Sequence, residues 1–201
     1  PAAPASTLTV QSNAVGHILV VPYFTTQSNN ATLLNLVNTD LVNGKAVKLR
    51  FRGAANSDDL FDITVYLSPG DMWTANVSAN GDISALSTSD TSCTLPKASE
   101  IKEVLGKFKT NRVNGDVAQT CEGYVEILNM ADVTPTRVLN AAGQAANPDI
   151  HNKANPLFTA TKHANSVAPC TQATMDLQAN ALVAQTANDP ALRGYSWPTG
   201  G

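Results

Sequence analysis

Charge is scarce in this chain. Asp, Glu, Lys and Arg make up 14% of its 201 residues, against roughly 25% in an average soluble domain. Asn, Thr, Ser and Ala fill their places, so the surface is polar but largely uncharged. With 13 basic and 16 acidic residues, a net charge of −3 and no Lys/Arg cluster, nothing attracts nucleic acid or an anionic membrane surface. Long apolar runs are missing as well, and no stretch approaches the roughly 20 residues a bilayer-spanning helix needs. Motifs for chemistry are also absent. There is no Gly-x-Ser-x-Gly, and His17, His151 and His163 have neither HxxxH spacing nor an Asp or Ser in a recognisable nucleophile context. Cys93, Cys121 and Cys170 stand too far apart for the CxxC pairs of a zinc site. A non-enzymatic protein is expected.

What the sequence does contain is a run of five strands between Gly16 and Val77. Thr32, Leu34 and Leu36 alternate with Leu33, Asn35 and Val37, and Val47, Leu49 and Phe51 alternate with Lys48, Arg50 and Arg52, the period of a half-buried strand. Asn38 to Asp40, Asn43-Gly44, Asn56 to Asp59 and Ser68 to Asp71 supply the turns. Strands so closely spaced leave no room for crossover helices, so they pair as a meander or Greek key. The predicted fold is mainly β, an antiparallel β-sandwich of jelly-roll or Greek-key type with two short helices.

Further along, Ala79 to Ser92 reads as a polar connection to Cys93. Ser99 is expected to cap a helix with Ile101, Val104, Leu105 and Phe108 on one face. Glu122 to Met130 returns to strand character, as a central partner of the earlier strands. Thr134 to Pro169 has little periodicity and is expected to be an interaction surface or partly disordered. A second helix is predicted from about Thr171 to Ala187, with Met175, Ala179, Leu182 and Val183 on one face. The domain reading is a flexible segment over 1–15, a sandwich domain with helical insertions over 16–190 and a tail over 191–201. The start Pro1-Ala2-Ala3-Pro4-Ala5-Ser6, without Met, is expected to follow a removed export signal, and the Gly/Pro-rich tail to continue in the native protein.

Each residue that invites chemistry has a plain structural alternative. Glu122 and Glu126 share a strand face, but residues four apart in a strand stand about 13 Å apart, beyond the roughly 5–9.5 Å of paired glycosidase carboxylates. Asp58, Asp59 and Asp62, after Asn56 and Ser57, form the densest oxygen-rich stretch and are the candidate calcium ligands; a solvated hairpin turn accounts for the same residues. Two of the three cysteines in an exported chain are expected to pair, and the spacing leaves all three pairings open. Trp73, Trp197, Tyr66 and Tyr195 are the candidates for stacking on sugar rings in a carbohydrate-binding or adhesive module, although Trp73 follows an apolar strand and reads as core.

The succession HILVVPYFTTQ, TLLNLVNTD, KAVKLRFRGAANSDDLFDITVYLSPGDMWTANV, SCTLP and EGYVEILNMADV resembles an exported surface-protein family of proteobacteria that includes surface-layer proteins of the comamonad type, which coat cells and membrane-derived tubes. The resemblance covers roughly residues 16 to 133, is most specific in SDDLFDITVYLSPGDMWT and is loose in the last third. It implies an extracellular β-sandwich at the cell surface that assembles with copies of itself, with envelope polysaccharide or the outer membrane as a further partner. The position of Cys121 is commonly basic in such relatives, which implies a bridge from Cys93 to Cys170.

Overall fold

The computed structural model describes residues 10–101, 106–136 and 155–170. Eight strands are present among the described residues: β1 Ile18–Thr25, β2 Thr32–Val37, β3 Gly44–Gly53, β4 Asp59–Leu67, β5 Met72–Asn80, β6 Ile83–Ser87, β7 Cys93–Leu95 and β8 Glu122–Val133. They form a five-stranded sheet in the order β1-β8-β3-β4-β7 and a three-stranded sheet in the order β2-β5-β6, with antiparallel ladders throughout.

The five expected strands are all there, but few pair with their chain neighbours. β1 runs beside β8, β2 crosses to the other sheet to meet β5, and only β3-β4 makes a hairpin among the first five. Strand β8 lies between β1 and β3, the central position expected for Glu122 to Met130. The polar connection from Ala79 to Ser92 is a misreading, since it completes β5 and contains β6. Its apolar residues are too few to show a period. What holds it is Ser84, buried and bonded through Oγ to Thr26 Oγ1 at 2.7 Å, with its N–H donated to Thr120 Oγ1.

The two sheets face each other across one core. Leu34, Leu36, Trp73, Ala75, Val77 and Leu86 from the smaller sheet meet Val47, Leu49, Phe51, Ile63, Val65, Val125 and Ile127 from the larger one. Phe24, Phe51, Phe61 and Phe108 cluster inside it, with Phe108 centroids 5.2 Å from Phe51 and 5.7 Å from Phe24 and Phe61; such aromatic pairs add stabilisation beyond the area they bury. Ile101 and Phe108 are both buried, but Phe108 lies in the extended segment beside β6 instead of on a helix, and Val104 and Leu105 lie outside the described residues. The helix that carries Ile101 starts differently from expectation. α1 spans Ala98–Glu100, and the Glu100 carboxylate, not Ser99, caps it by accepting the Lys97 N–H at 2.9 Å.

A smaller apolar cluster lies on the outer face of the larger sheet, where Ala46, Tyr66, Cys93 and Val133 meet Leu157 and Ala168. These last two come from the stretch read as irregular. It includes α2, Pro156–Thr161, whose first turn is capped by Asn155 Oδ1 accepting the Leu157 N–H. Residues 137–154 and the helix predicted over Thr171–Ala187 lie outside the described residues.

Candidate functional site

A sheet edge presents unpaired N–H and C=O groups, and a soluble protein must guard it or use it. Four edges arise from the two sheets, and three are guarded. β1 carries Pro22 and a register shift between Val21 and Phe24. β7 has three residues and runs into Pro96. Alongside β6 lies the 106–108 segment, with Leu86 N–H donated to Gly106 O at 2.8 Å and Phe108 N–H to Ser84 O at 2.9 Å. The fourth edge, β2, has no neighbour among the described residues on the side away from β5.

The register fixes what that edge offers. Asn38 N–H is donated to Asp71 O, so in the β2-β5 ladder the hydrogen-bonded positions are Thr32, Leu34 and Leu36. The backbone groups of Leu33, Asn35 and Val37 therefore point to the open side. Their side chains point to the outer face, because Leu34 and Leu36 take the inner one. Leu33 is 73% exposed, Val37 51%, and Met72, opposite Val37, 53%. Thr74, Asn76, Ser78, Ala85 and Ser87 continue this outer face, and none of its strand residues is charged. Leu41 and Val42, exposed in the loop after β2, extend the apolar rim. Exposed apolar groups gathered on one rim mark an interaction surface more often than scattered ones do.

The outer face of the larger sheet is the opposite in character. Lys48, Arg50 and Arg52 follow one another along β3, and each meets a carboxylate: Lys48 Nζ to Asp62 at 3.3 Å, Arg50 to Asp59 and Asp62 at 3.3 Å, Arg52 to Glu126 at 3.1 Å. A bulge at Leu60 puts Asp59 and Asp62 on the same face, since Arg50 opposes Asp62, Phe51 opposes Phe61 and Arg52 opposes Asp59. Asp58, Asp59 and Asp62, the candidate calcium ligands, are placed as follows. Two of the three are engaged by cations, Asp58 Oδ2 is buried without a partner, and among the described residues no three acidic, His or Cys side chains gather as ligands. Glu122 and Glu126 are likewise separate, the first accepting Tyr23 Oη–H at 3.0 Å and the second holding Arg52.

At the rim, Lys45 Nζ stands 2.9 Å from Asp40 and 2.7 Å from Asp132. Burial pulls the Lys45 pKa down, but the two carboxylates outweigh it and the net shift is upward. Hydrogen bonds from Lys45 and from the Asn43 and Val42 N–H groups hold Asp40 well below the ordinary carboxylate value of 3.8. A depressed carboxylate stabilises the fold fully above its unfolded value, and the contribution fades as pH falls through the folded one. Below about pH 4, therefore, the melting temperature of the parent should fall more steeply than that of Asp40→Asn. Parallel melting curves from roughly pH 2 to 5 would contradict this assignment.

His163 shows what the sequence could not. Its Nδ1 lies 2.8 Å from Ser68 Oγ and 3.2 Å from Asp71 Oδ2, its Nε2 3.2 Å from Thr91 Oγ1, and its backbone N–H is donated to Ser68 Oγ at 2.9 Å. The reading that His163 lacks Ser and Asp partners is corrected, because they stand 92 to 95 residues away in sequence (163 − 71 and 163 − 68). The arrangement is nevertheless a clasp. Ser68 and Asp71 converge on one ring nitrogen, Thr91 donates its hydroxyl proton to the Ser166 carbonyl at 2.9 Å, and Ser68 donates to the Thr161 carbonyl. The adjoining cleft of about 630 Å³, walled by Leu41, Val42, Pro135 and Phe158, therefore meets Ser68, Asp71 and His163 already bonded to one another.

Cys93 and Cys170 are joined, with Cα atoms 5.4 Å apart, and Cys121 is free. Bridge and clasp together fasten the 155–170 stretch to the sandwich. Trp73 is fully buried in the core and Tyr66 nearly so, and burial pushes the Tyr66 phenol above its ordinary value. Neither can stack on a sugar. Tyr195, Trp197 and His151 lie outside the described residues.

Compared with known proteins, the chain matches no protein-family model, no curated protein and no solved structure.

Proposed function

We propose that this chain is a non-catalytic structural protein of the bacterial cell surface that assembles with copies of itself into an extracellular layer or array. The observation that carries the reading is the contrast among the four sheet edges: three are guarded, and β2 has no neighbour among the described residues on one side, beside an apolar-rimmed face whose strand residues are uncharged. A strand edge of this kind is a template for another strand. The disulfide suits an oxidising compartment, no helix among the described residues is long and apolar enough to cross a membrane, and the sequence resemblance points the same way.

An array needs a second contact, since a single two-fold contact closes a dimer. Ile18 and Val20 supply a separate exposed strip, on the outer face of the other sheet beside Leu128. A carbohydrate-binding module is the rival, and it loses Trp73 and Tyr66 as stacking platforms. Electron microscopy of the purified chain at high concentration, with no glycan added, tests the reading. Sheets, tubes or filaments are expected. A chain that stays dispersed and binds a glycan array would favour the rival.

A further inference from the structure

We propose that two copies pair edge to edge through β2, antiparallel, about a two-fold axis at Asn35. This pairing rests on the array reading for its biological role and supplies one of the contacts that reading requires.

The register follows from the side chains. In an antiparallel pair, residues directly opposite share a face. Centring the axis on Asn35 sets Leu33 against Val37 of the second copy, Val37 against its Leu33, and Asn35 against its Asn35. Apolar then meets apolar and amide meets amide. A slip by two residues in either direction sets Asn35 against Leu33 or Val37 and loses both apolar pairs. The hydrogen bonding is satisfied in this alignment and excludes slips by one residue. Leu33, Asn35 and Val37 are the residues whose N–H and C=O groups face the open side, so each opposing pair exchanges both backbone hydrogen bonds.

Charge and shape agree with a second copy as the occupant. A face without charged strand residues creates no like-charge repulsion when it meets itself, whereas the Lys48, Arg50 and Arg52 row on the other sheet would need a partner of complementary pattern. Joining two copies through β2 makes one continuous sheet in the order β6-β5-β2-β2-β5-β6, closed at both ends by the 106–108 segments that cover β6. Leu33 and Val37 of each copy shield one another from water across the new pair on the outer face.

The test uses the full chain carrying Cys121→Ser, with the Cys93 to Cys170 bridge intact. In this background Asn35→Cys should give a disulfide-linked dimer under mild oxidation, because opposing hydrogen-bonded residues stand about 5.5 Å apart at Cα. Thr74→Cys, on the same face but one strand inward, should give none. Leu33→Lys with Val37→Lys places like charges directly opposite each other and should weaken dimerisation by about tenfold or more in sedimentation. Circular dichroism and melting temperature should stay at the parent's values, since both side chains are exposed. Absence of the Asn35→Cys dimer, or a double-lysine variant that dimerises like the parent, overturns the pairing. Arrays that persist in the double-lysine variant do so too while leaving the array reading standing. Asn35→Cys dimers from a chain that never forms arrays support the pairing and overturn the array reading.

Discussion

Replacing Gly123 by alanine is expected to prevent the chain from folding. Gly123 is the second residue of β8, set between Phe24 of β1 and Gly53 of β3. A Cβ there would overlap the carbonyl oxygen of Arg52 and come within 2.9 Å of the Arg52 carbonyl carbon and of the Phe24 ring. Neither neighbour can retreat. The Arg52 backbone is tied on both sides, to β4 and β8, and Phe24 is packed edge-on against Phe51 and Phe108. Nearby, Ala54 N–H is donated to Glu122 O and Thr26 N–H to Cys121 O, which fixes the strand entry as well. The expected loss is about 5 kcal/mol or more, a large part of the roughly 5–15 kcal/mol that holds a domain folded. Gly53→Ala provides the contrast at the same rung. Its Cβ would meet nothing closer than 3.5 Å, so its effect should stay within about 1 kcal/mol. Urea unfolding of both variants decides the matter, and a Gly123→Ala chain with the parent's midpoint would refute the packing described for β8.

Removing the bridge, as Cys93→Ala with Cys170→Ala, should produce the next largest loss. The cysteines are 77 residues apart, and closing a loop of that length in the unfolded chain is worth about 4.5 kcal/mol in the chain-entropy account. The damage should also have a location. Cys93 is buried against Ala46, Tyr66 and Val133, and Cys170 donates its N–H to the Ala160 carbonyl, so the 155–170 stretch loses an anchor and keeps only the His163 clasp and its own apolar contacts. Hydrogen exchange should accelerate at the Thr159, Lys162 and Cys170 amides, which are bonded to Asn155, Phe158 and Ala160 carbonyls, well before it does in β3 or β8. Cys121→Ser should change stability by less than about 0.5 kcal/mol, being unbridged and only partly buried. Equal stability of the bridged and unbridged chains would show that the crosslink is incidental to the fold.

By itself the sequence determined what depends on neighbours along the chain. Period-two alternation located β2 and β3, and the Asn-, Asp- and Gly-rich segments located the turns that separate the first five strands. The polar-facing set Leu33, Asn35 and Val37 was legible from that same alternation, as was Trp73 as a core residue. Shortage of charge was legible too, and the absence of charged strand residues from the outer face of the smaller sheet is its structural consequence. A strand's period, however, says which face is buried and never which strand lies alongside. That choice is made by many long-range contacts at once, so the tertiary structure alone decided that β1 joins β8, that β2 leaves its chain neighbours for β5 and that one side of β2 has no neighbour among the described residues. It alone found β6, held by buried Leu86, a buried serine and a covering segment, with too few apolar residues to show a period. One extra residue at Leu60 put Asp59 and Asp62 on one face beside Arg50 and Lys48, because a bulge reverses the face on which later side chains emerge. His163, isolated in the sequence, met Ser68, Asp71 and Thr91 only when the chain folded back over the outer sheet, since proximity in space between residues far apart in sequence is a property of the whole packed chain.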